Sequence, residues 1–254
     1  MARVFYEQGH NVVATDVDAA GLTTLTTGWE PTRTLAAPMD VRRADDWQRV
    51  IAEALARWGR IDVGLNIAGV VRPGYVAEFN LSDVDFMVDV NLKGLMLGTR
   101  LLAGQMVRQG SGHIVNIASL AGTAPIQGLG IYSATKFAVR GFSLAAAGEL
   151  RKRGVRVSVV CPDLVHTNML TEQLDHPSAA LSFSGGRTLT VQDVERAIIH
   201  DALGQHKIEV LLPSGRGWLG KLGNLFPSVG FALTDALIKK GLKLQAAMRA
   251  ERGH

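Results

Sequence analysis

Apolar runs of five to seven residues alternate with longer helical patterns along most of the chain. The runs are nearly continuous in apolar residues, which is typical of strands that are covered on both faces of a sheet. They predict strands at Asn11–Thr15, Arg33–Pro38, Ile61–Asn66, His113–Ile117, Val155–Cys161 and Ile208–Leu212.

Between these runs, apolar residues recur at helical spacing over Ala44–Trp58, Asp83–Arg108, Tyr132–Arg151 and Val191–Leu203. Thr190 followed by Asp193 predicts a capping box at the start of the last helix. Strands that alternate with helices indicate βαβ units and a parallel sheet. We therefore predict an α/β fold with a Rossmann-like doubly wound sheet in three α/β/α layers. We expect residues 1–254 to form a single domain, with 214–254 as its C-terminal extension.

The composition changes this picture little. The chain has 254 residues, of which 47% are hydrophobic and 20% are charged, close to the averages of globular proteins. The single cysteine, Cys161, cannot form an internal disulfide, and its apolar flanks indicate a buried structural thiol. The sequence shows neither a signal peptide nor an apolar run long enough to span a bilayer. We expect a cytoplasmic protein.

The charge is unevenly distributed. Residues 214–254 carry seven basic and two acidic side chains, although the whole chain has a net charge of only +4. A basic excess confined to a tail does not indicate a nucleic-acid-binding face. The tail could contact an anionic membrane surface. It could also be an amphipathic helix packed on its own protein, which we favour.

Ligands of open α/β sheets bind outside the carboxyl ends of the strands. Polar and glycine residues follow most of the predicted strands at that edge, although such residues also favour ordinary turns. They are Asp16, Asp40, Asn66 to Gly69, Ser119, and Pro162 to Thr167.

Tyr132 and Lys136 are the strongest candidates for chemistry. Their spacing places both side chains on one face of a helix. A tyrosine has a pKa near 10, and a neighbouring ammonium lowers it, so that the phenol can exchange a proton with an alcohol oxygen. Ser119 precedes Tyr132 by thirteen residues and could hold the substrate oxygen. Asn91 is unusual within a helix, so it either has a polar task or is a tolerated surface residue.

The chain resembles the short-chain dehydrogenase/reductase family from its first residues to about Leu212. The stretches that carry the resemblance are Asp16, Asp40-Val41, Asn66-Ile67-Ala68-Gly69, Asn91, Ser119, Tyr132-Ser133-Ala134-Thr135-Lys136 and Pro162-Asp163-Leu164-Val165-His166-Thr167.

The resemblance implies a catalytic tetrad of Ser119, Tyr132, Lys136 and Asn91, with Tyr132 as the acid/base. It also implies an oxidoreductase that interconverts a secondary alcohol and a ketone with a nicotinamide cofactor, which carries the hydride. No metal is expected. The cofactor-binding residues would be Asp16, Asp40, Val41, Asn66, Ala68, Gly69, Tyr132, Lys136, Pro162, Val165 and Thr167.

Asp16 bears on the choice of cofactor. An acidic residue after the second strand of this fold hydrogen-bonds the ribose hydroxyls of NAD and would repel the 2′-phosphate of NADP. The next residue is Val17 rather than an arginine. We therefore expect NAD rather than NADP.

The sequence departs from the family pattern at its beginning. The family starts with a strand and a glycine-rich phosphate loop, which would lie before Met1, so we expect the central first strand to be missing. Gly215-Arg216-Gly217-Trp218-Leu219-Gly220 matches G-x-G-x-x-G only by accident, because Gly223, Pro227 and Gly230 disfavour the helix that a fingerprint requires. Smaller departures are Asp163, where the family usually has glycine, and Ile67, where it often has asparagine.

The missing loop leaves an alternative open, a catalytically inactive protein that serves in binding or assembly. For an active enzyme, the substrate would be a small molecule. Apolar residues after the last strand could form a lid over a lipophilic substrate, or could pack in the core or at a subunit contact. These are Trp218, Leu222, Leu225, Phe226 and Phe231. The resemblance also implies a homodimer or homotetramer that forms through the helices at Asp83–Arg108 and Tyr132–Arg151.

Overall fold

The computed structural model describes residues 1–225 and 227–252. Every predicted strand is present, and each begins and ends within two residues of its predicted bounds. The strands are β1 Val12–Asp16, β2 Thr34–Pro38, β3 Val63–Asn66, β4 Gly112–Ile117, β5 Val155–Pro162 and β6 Glu209–Leu212.

The helices that cover the strands are α1 Ala2–Glu7, α2 Ala19–Thr26, α3 Ala44–Trp58, α4 Ser82–Met87, α5 Gly94–Gln109, α6 Gly130–Leu150, α7 Asn168–Leu174, α8 Val191–Arg196, α9 Ser214–Leu225 and α10 Pro227–Arg252. Short 3-10 segments lie at Leu120–Gly122, Arg151–Arg153 and Pro177–Ser184, and wider π-helical turns at Val88–Lys93 and Ala197–Gly204. The capping box of Thr190 and Asp193 is confirmed at the start of α8.

Three helix predictions need correction. The predicted helix Asp83–Arg108 is interrupted by the π-helical turn Val88–Lys93, which separates α4 from α5. The predicted helix Val191–Leu203 is α-helical only to Arg196, and the π-helical turn Ala197–Gly204 follows it. Gly223, Pro227 and Gly230 were expected to disfavour a helix directly after Gly215, but α9 and α10 occupy this stretch. The three glycines of the accidental fingerprint therefore lie inside a helix, where they cannot form a phosphate loop.

All strands pair in parallel, in the α/β arrangement that the sequence predicts. β1 pairs with β2, and a second sheet has the order β3-β4-β5-β6. β1 and β3 are not hydrogen-bonded to each other, so the strands form two separate sheets. The division lies where the first strand of the family pattern would be. The parallel direction brings the carboxyl ends of β3, β4, β5 and β6 to one edge, where the site lies.

The core lies between the second sheet and its covering helices, and it contains the fully buried Met106, Ile114 and Val155. Helix α5 approaches the sheet closely at Gly98. A Cβ atom there would lie 2.4 Å from Asn66 Oδ1 and 2.5 Å from the ring of Trp47. The core thus sets the position of α5, which follows directly on the turn that holds Asn91.

The C-terminal helices pack on the same chain, in agreement with the interpretation that we favoured. The Gln245 amide of α10 donates hydrogen bonds of 3.0 Å to the carbonyl oxygens of Gln173 and His176. Within the described residues, no helix combines the length and apolar character that crossing a bilayer requires.

The predicted lid is not observed. The side chains of Trp218, Leu222, Leu225 and Phe231 are between 55% and 68% exposed, so they face solvent and do not pack over Tyr132. Phe226, the fifth residue of that prediction, lies outside the described residues.

Candidate active site

Tyr132 and Lys136 lie in the first turns of α6 and point to the same side, as their spacing predicts. Both are buried, with exposed fractions of 8% and 3%. The Lys136 ammonium lies 5.6 Å from the centre of the Tyr132 ring and donates a hydrogen bond of 3.1 Å to the carbonyl of Ile117. That bond ties the first turns of α6 to the end of β4.

Burial dominates the protonation of both groups. It raises the pKa of Tyr132 to about 12, while the nearby Ser119 hydroxyl acts in the opposite direction. It lowers the pKa of Lys136 to about 8. At neutral pH the tyrosine is therefore a protonated phenol, and the lysine is close to its own titration range.

Ser119 connects the ends of two strands at this edge. Its hydroxyl donates to the carbonyl of Pro162 at 3.3 Å and accepts from the backbone N–H of Ala121 at 3.1 Å. Leu120–Gly122 forms a short 3-10 turn directly after it. The hydroxyl is thus held between the ends of β4 and β5, close to Tyr132.

Asn91 is fully buried, which excludes the alternative that it is a tolerated surface residue. Its amide oxygen accepts from the Val70 N–H at 2.7 Å, and its amide nitrogen donates to the Val70 carbonyl at 2.9 Å. The same nitrogen lies 3.2 Å from Thr135 Oγ1, next to Lys136 in the chain. The π-helical turn presents Asn91 in this position, and such turns are frequent at functional sites.

Gly69 brings the backbone after β3 to the same place. A Cβ atom at this position would lie 3.4 Å from Asn91 Oδ1 and 3.5 Å from Lys136 Nζ. The neighbouring Ile67 and Ala68 are exposed to solvent. The segment 67–69 therefore lies next to Asn91 and Lys136 on one side and faces solvent on the other.

The Asn66 side chain points into the interior of the protein. It is buried, and its amide nitrogen donates to Thr99 Oγ1 at 3.1 Å and to Asn116 Oδ1 at 2.8 Å. These partners lie on α5 and β4, in the interior. The Asn66 side chain therefore lies behind the site, and a contact between this residue and the cofactor, which stays a prediction, would involve its backbone.

Asp16 and Asp40 follow β1 and β2. Asp16 is exposed and accepts a hydrogen bond of 3.1 Å from the backbone N–H of Asp18. Asp40 forms an ion pair of 2.6 Å with Arg42, and this hydrogen-bonded guanidinium lowers the pKa of the Asp40 carboxyl. The Val41 carbonyl accepts from the indole N–H of Trp47 at 2.9 Å. Sequence reasoning missed Arg42, although its position two residues after an acid could have suggested the pair.

The segment from Pro162 to Thr167 leaves β5 at the same edge. Val165 pairs with Leu189 in an isolated bridge, and Thr167 Oγ1 donates to the Val165 carbonyl at 3.4 Å. Burial raises the pKa of the Asp163 carboxyl, while the charge of Arg216 acts against that shift. The segment is therefore held at Asp163 by Arg216 and at Val165 by its bridge to Leu189.

Arg216 of α9 holds this segment through an ion pair of 2.9 Å with Asp163. The same guanidinium donates to Ser184 Oγ at 3.1 Å. Sequence reasoning had counted Arg216 only as part of the basic tail. The departure from the family's glycine at Asp163 is the signal that could have suggested a charged partner.

The wall around Tyr132 is apolar. Its hydroxyl lies 4.0 Å from the sulfur of Met169 in α7. Tyr132 belongs to a cluster of buried apolar side chains that includes Val71, Leu129, Leu170, Leu174 and Phe183.

The fold and this cluster define an α/β protein with a half-buried serine and a buried tyrosine and lysine at the carboxyl edge of a parallel sheet. The family model for short chain dehydrogenases matches residues 1–178. The chain belongs to this family, and it is an oxidoreductase.

Two curated relatives illustrate the similarity. The NADP-dependent 3-hydroxy acid dehydrogenase YdfG of Salmonella typhimurium is 34% identical over 204 residues, which are 78% of this chain and 81% of that protein. The 3-oxoacyl-[acyl-carrier-protein] reductase of Synechocystis is 38% identical over 141 residues, which are 56% of this chain and 57% of that protein.

Solved structures show the same fold. The 3-ketoacyl-(acyl-carrier-protein) reductase of Brucella melitensis, complexed with NADH, has a TM-score of 0.74 and 28% identity, with 83% of this chain and 88% of that chain covered. The gluconate 5-dehydrogenase of Burkholderia cenocepacia, in complex with NADP and tartrate, has a TM-score of 0.72 and 25% identity, with coverages of 83% and 86%.

Proposed function

We propose that this protein interconverts a secondary alcohol and a ketone with a nicotinamide cofactor, and that Tyr132 is the acid/base. The observation that carries the proposal is the convergence of Ser119, Tyr132 and Lys136 at one sheet edge, with Asn91 buried directly behind them. Nothing in the fold or in the comparisons favours the inactive alternative.

The residues at the edge fit the nicotinamide half of the cofactor. Among residues 1–225 and 227–252, the Ile117 carbonyl is the acceptor that binds the Lys136 ammonium, so further N–H donors of Lys136 can bind ribose hydroxyls. Gly69 has no side chain between this ammonium and the open edge. Val165 and Thr167, after Pro162, would hold the carboxamide. When bound, the cofactor supplies or accepts the hydride.

The chain's own groups supply the proton transfer. In the reductive direction, the protonated Tyr132 phenol donates its proton to the carbonyl oxygen, which the Ser119 hydroxyl orients. Burial would make the resulting phenolate costly, and the Lys136 ammonium stabilises it by its positive charge. Asn91 is a positioning residue, because its amide fixes Val70 next to Gly69 and also contacts Thr135.

The catalytic proposal can be tested with Tyr132→Phe against the control Tyr75→Phe, because Tyr75 is 48% exposed and belongs to no described cluster. We expect Tyr132→Phe to lower kcat at least about a hundredfold, the usual contribution of a positioned acid/base, while cofactor binding is retained. Equal turnover by the two variants would contradict the role of Tyr132.

We propose NAD as the preferred cofactor. The support is Asp16, an exposed carboxylate at the end of β1 with Val17 rather than a cation beside it. The adenine half of the cofactor would be bordered by backbone atoms of Asp40, Val41 and Ala68. The Asp40 carboxylate itself is already bound to Arg42 in an ion pair. The curated relative from Salmonella typhimurium bears the name NADP-dependent, so cofactor preference must be measured on this chain.

The measurement is kcat/KM with NADH and NADPH for the wild type, Asp16→Ser and a control, Asp62→Ser. Asp62 is an exposed carboxylate at the opposite end of the sheet. We expect the wild type to favour NADH and Asp16→Ser alone to weaken that preference. A wild-type preference for NADPH would overturn the assignment.

The apolar wall around Tyr132 favours a lipophilic substrate, because burial of each methylene contributes to binding. A series of secondary alcohols of increasing chain length should therefore show kcat/KM rising with length. No increase would count against an apolar substrate. We also propose that the long helices α5 and α6 form a homodimer or homotetramer contact, which light scattering can test.

A further inference from the structure

Helix α9 packs on the protein through its glycines. A Cβ atom at Gly217 would lie 2.6 Å from Leu211 Cβ, and one at Gly220 would lie 3.1 Å from Thr123 Oγ1. The same side of the helix carries Lys221, which is bound to Glu209. The face that meets the core is therefore made of small and paired polar residues.

The apolar face of α9 is turned toward solvent. Four large apolar residues lie on an arc of about 120° at 100° per residue, opposite Gly217. Single exposed apolar residues are common on protein surfaces, but a continuous apolar face on one helix marks an interaction site. The four are Trp218, Leu219, Leu222 and Leu225, exposed by 59%, 70%, 56% and 68%.

Helix α10 adds a cationic surface directly after α9. It packs inward through Gly241 and Gln245, so that Lys239 and Lys243 lie on its outer side. Arg216 and Lys221 of α9 are neutralised by ion pairs with Asp163 and Glu209. Among the described residues, by contrast, no carboxylate pairs with Lys239, Lys240, Lys243 or Arg249, and all four are exposed.

We propose that the outer faces of α9 and α10 bind the surface of an anionic membrane. Helices that lie in the lipid interface combine an exposed apolar face with unpaired cations, and the consecutive helices α9 and α10 supply one of these each. A second copy of this chain fits less well, because contact between two such surfaces would bring the unpaired lysines of both copies together. The proposal concerns surface binding and is independent of the proposed reaction.

The test is flotation of the full chain with phosphatidylcholine vesicles, either pure or containing one third phosphatidylglycerol. We expect binding only to the anionic vesicles, weakened by salt. Trp218→Ser/Leu222→Ser should abolish it, while the control Val76→Ser/Leu81→Ser should not. Val76 and Leu81 are exposed apolar residues of another loop.

Lys239→Gln/Lys243→Gln should lower partitioning about 30-fold, because each lysine near an anionic surface contributes about a fivefold increase. Circular dichroism checks that the variants are folded. Quenching of tryptophan fluorescence by brominated lipid reports insertion of Trp218 when it is compared with Trp218→Phe, because the chain has four tryptophans. Absence of flotation would overturn the proposal. It would also be overturned by self-association that Trp218→Ser/Leu222→Ser abolishes, because a second copy would then cover the face.

Discussion

Replacing Asn91 by alanine tests whether this residue fastens the backbone after β3 to the catalytic helix. The change removes two hydrogen bonds to Val70, of 2.7 Å and 2.9 Å, and one of 3.2 Å to Thr135. Each such bond contributes about 1 kcal/mol net, and partners left without a bond add to the loss. Because Asn91 is fully buried, water does not readily replace the amide. We expect the free energy of unfolding to fall by about 2–4 kcal/mol.

Urea denaturation followed by circular dichroism measures this loss. The matched control is Asn80→Ala, because the exposed Asn80 side chain accepts only from the N–H and hydroxyl of Ser82. Its loss should be no more than about 1 kcal/mol. Turnover by Asn91→Ala should fall even where the variant is fully folded, since Lys136 lies next to the disturbed contacts. A loss below about 1 kcal/mol for Asn91→Ala would refute the assigned role.

Three further predictions follow from the packing. Burial, together with the electrostatic influence of the neighbouring His206 and Arg156, lowers the pKa of His113 to about 4, so the unfolded chain binds a proton between pH 6.5 and 4 that the folded one does not. The free energy of unfolding should therefore fall by up to about 3 kcal/mol as the pH is lowered from 6.5 to 4. A free energy of unfolding that does not change with pH, or a pH dependence that persists in His113→Gln, would contradict this. Gly98→Ala should cost about 1–3 kcal/mol, because its Cβ would meet Asn66 and Trp47, whereas the control Gly148→Ala, with open space around it, should not destabilise. Arg216→Met should raise the KM for the cofactor by freeing the segment that Asp163 anchors, and an unchanged KM would separate that ion pair from cofactor binding.

The strands and most helices could be predicted because their patterns are local. Nearly continuous apolar runs placed β4 and β5, and the capping box placed the start of α8. The π-helical turn around Asn91 could not be predicted in this way, because it depends on contacts with Val70 and Thr135 that are distant in the chain. Helices α9 and α10 contradicted the local preference of their glycines, because tertiary packing against Leu211 and Ala180 requires small residues there.

At the site, the residue types were predictable and their environments were not. The spacing of Tyr132 and Lys136 predicted a shared face, but not the burial that shifts both pKa values. Asn66 is a second example. Its position at a strand end suggested a residue that lines the cleft, but its side chain points into the core. Side-chain direction at a strand end depends on the neighbouring helix, which a motif does not contain.

The central claim is hydride transfer to a carbonyl carbon with proton donation by Tyr132. Its most direct test uses NADH and NADPH deuterated at C4, the purified chain and a panel of lipophilic ketones, with mass spectrometry of the alcohol product. The account predicts one deuterium on the carbinol carbon, transferred from one face of the nicotinamide, and loss of this product in Tyr132→Phe. Reduction that leaves the carbinol carbon unlabelled, or labelled product formed equally by Tyr132→Phe, would contradict it.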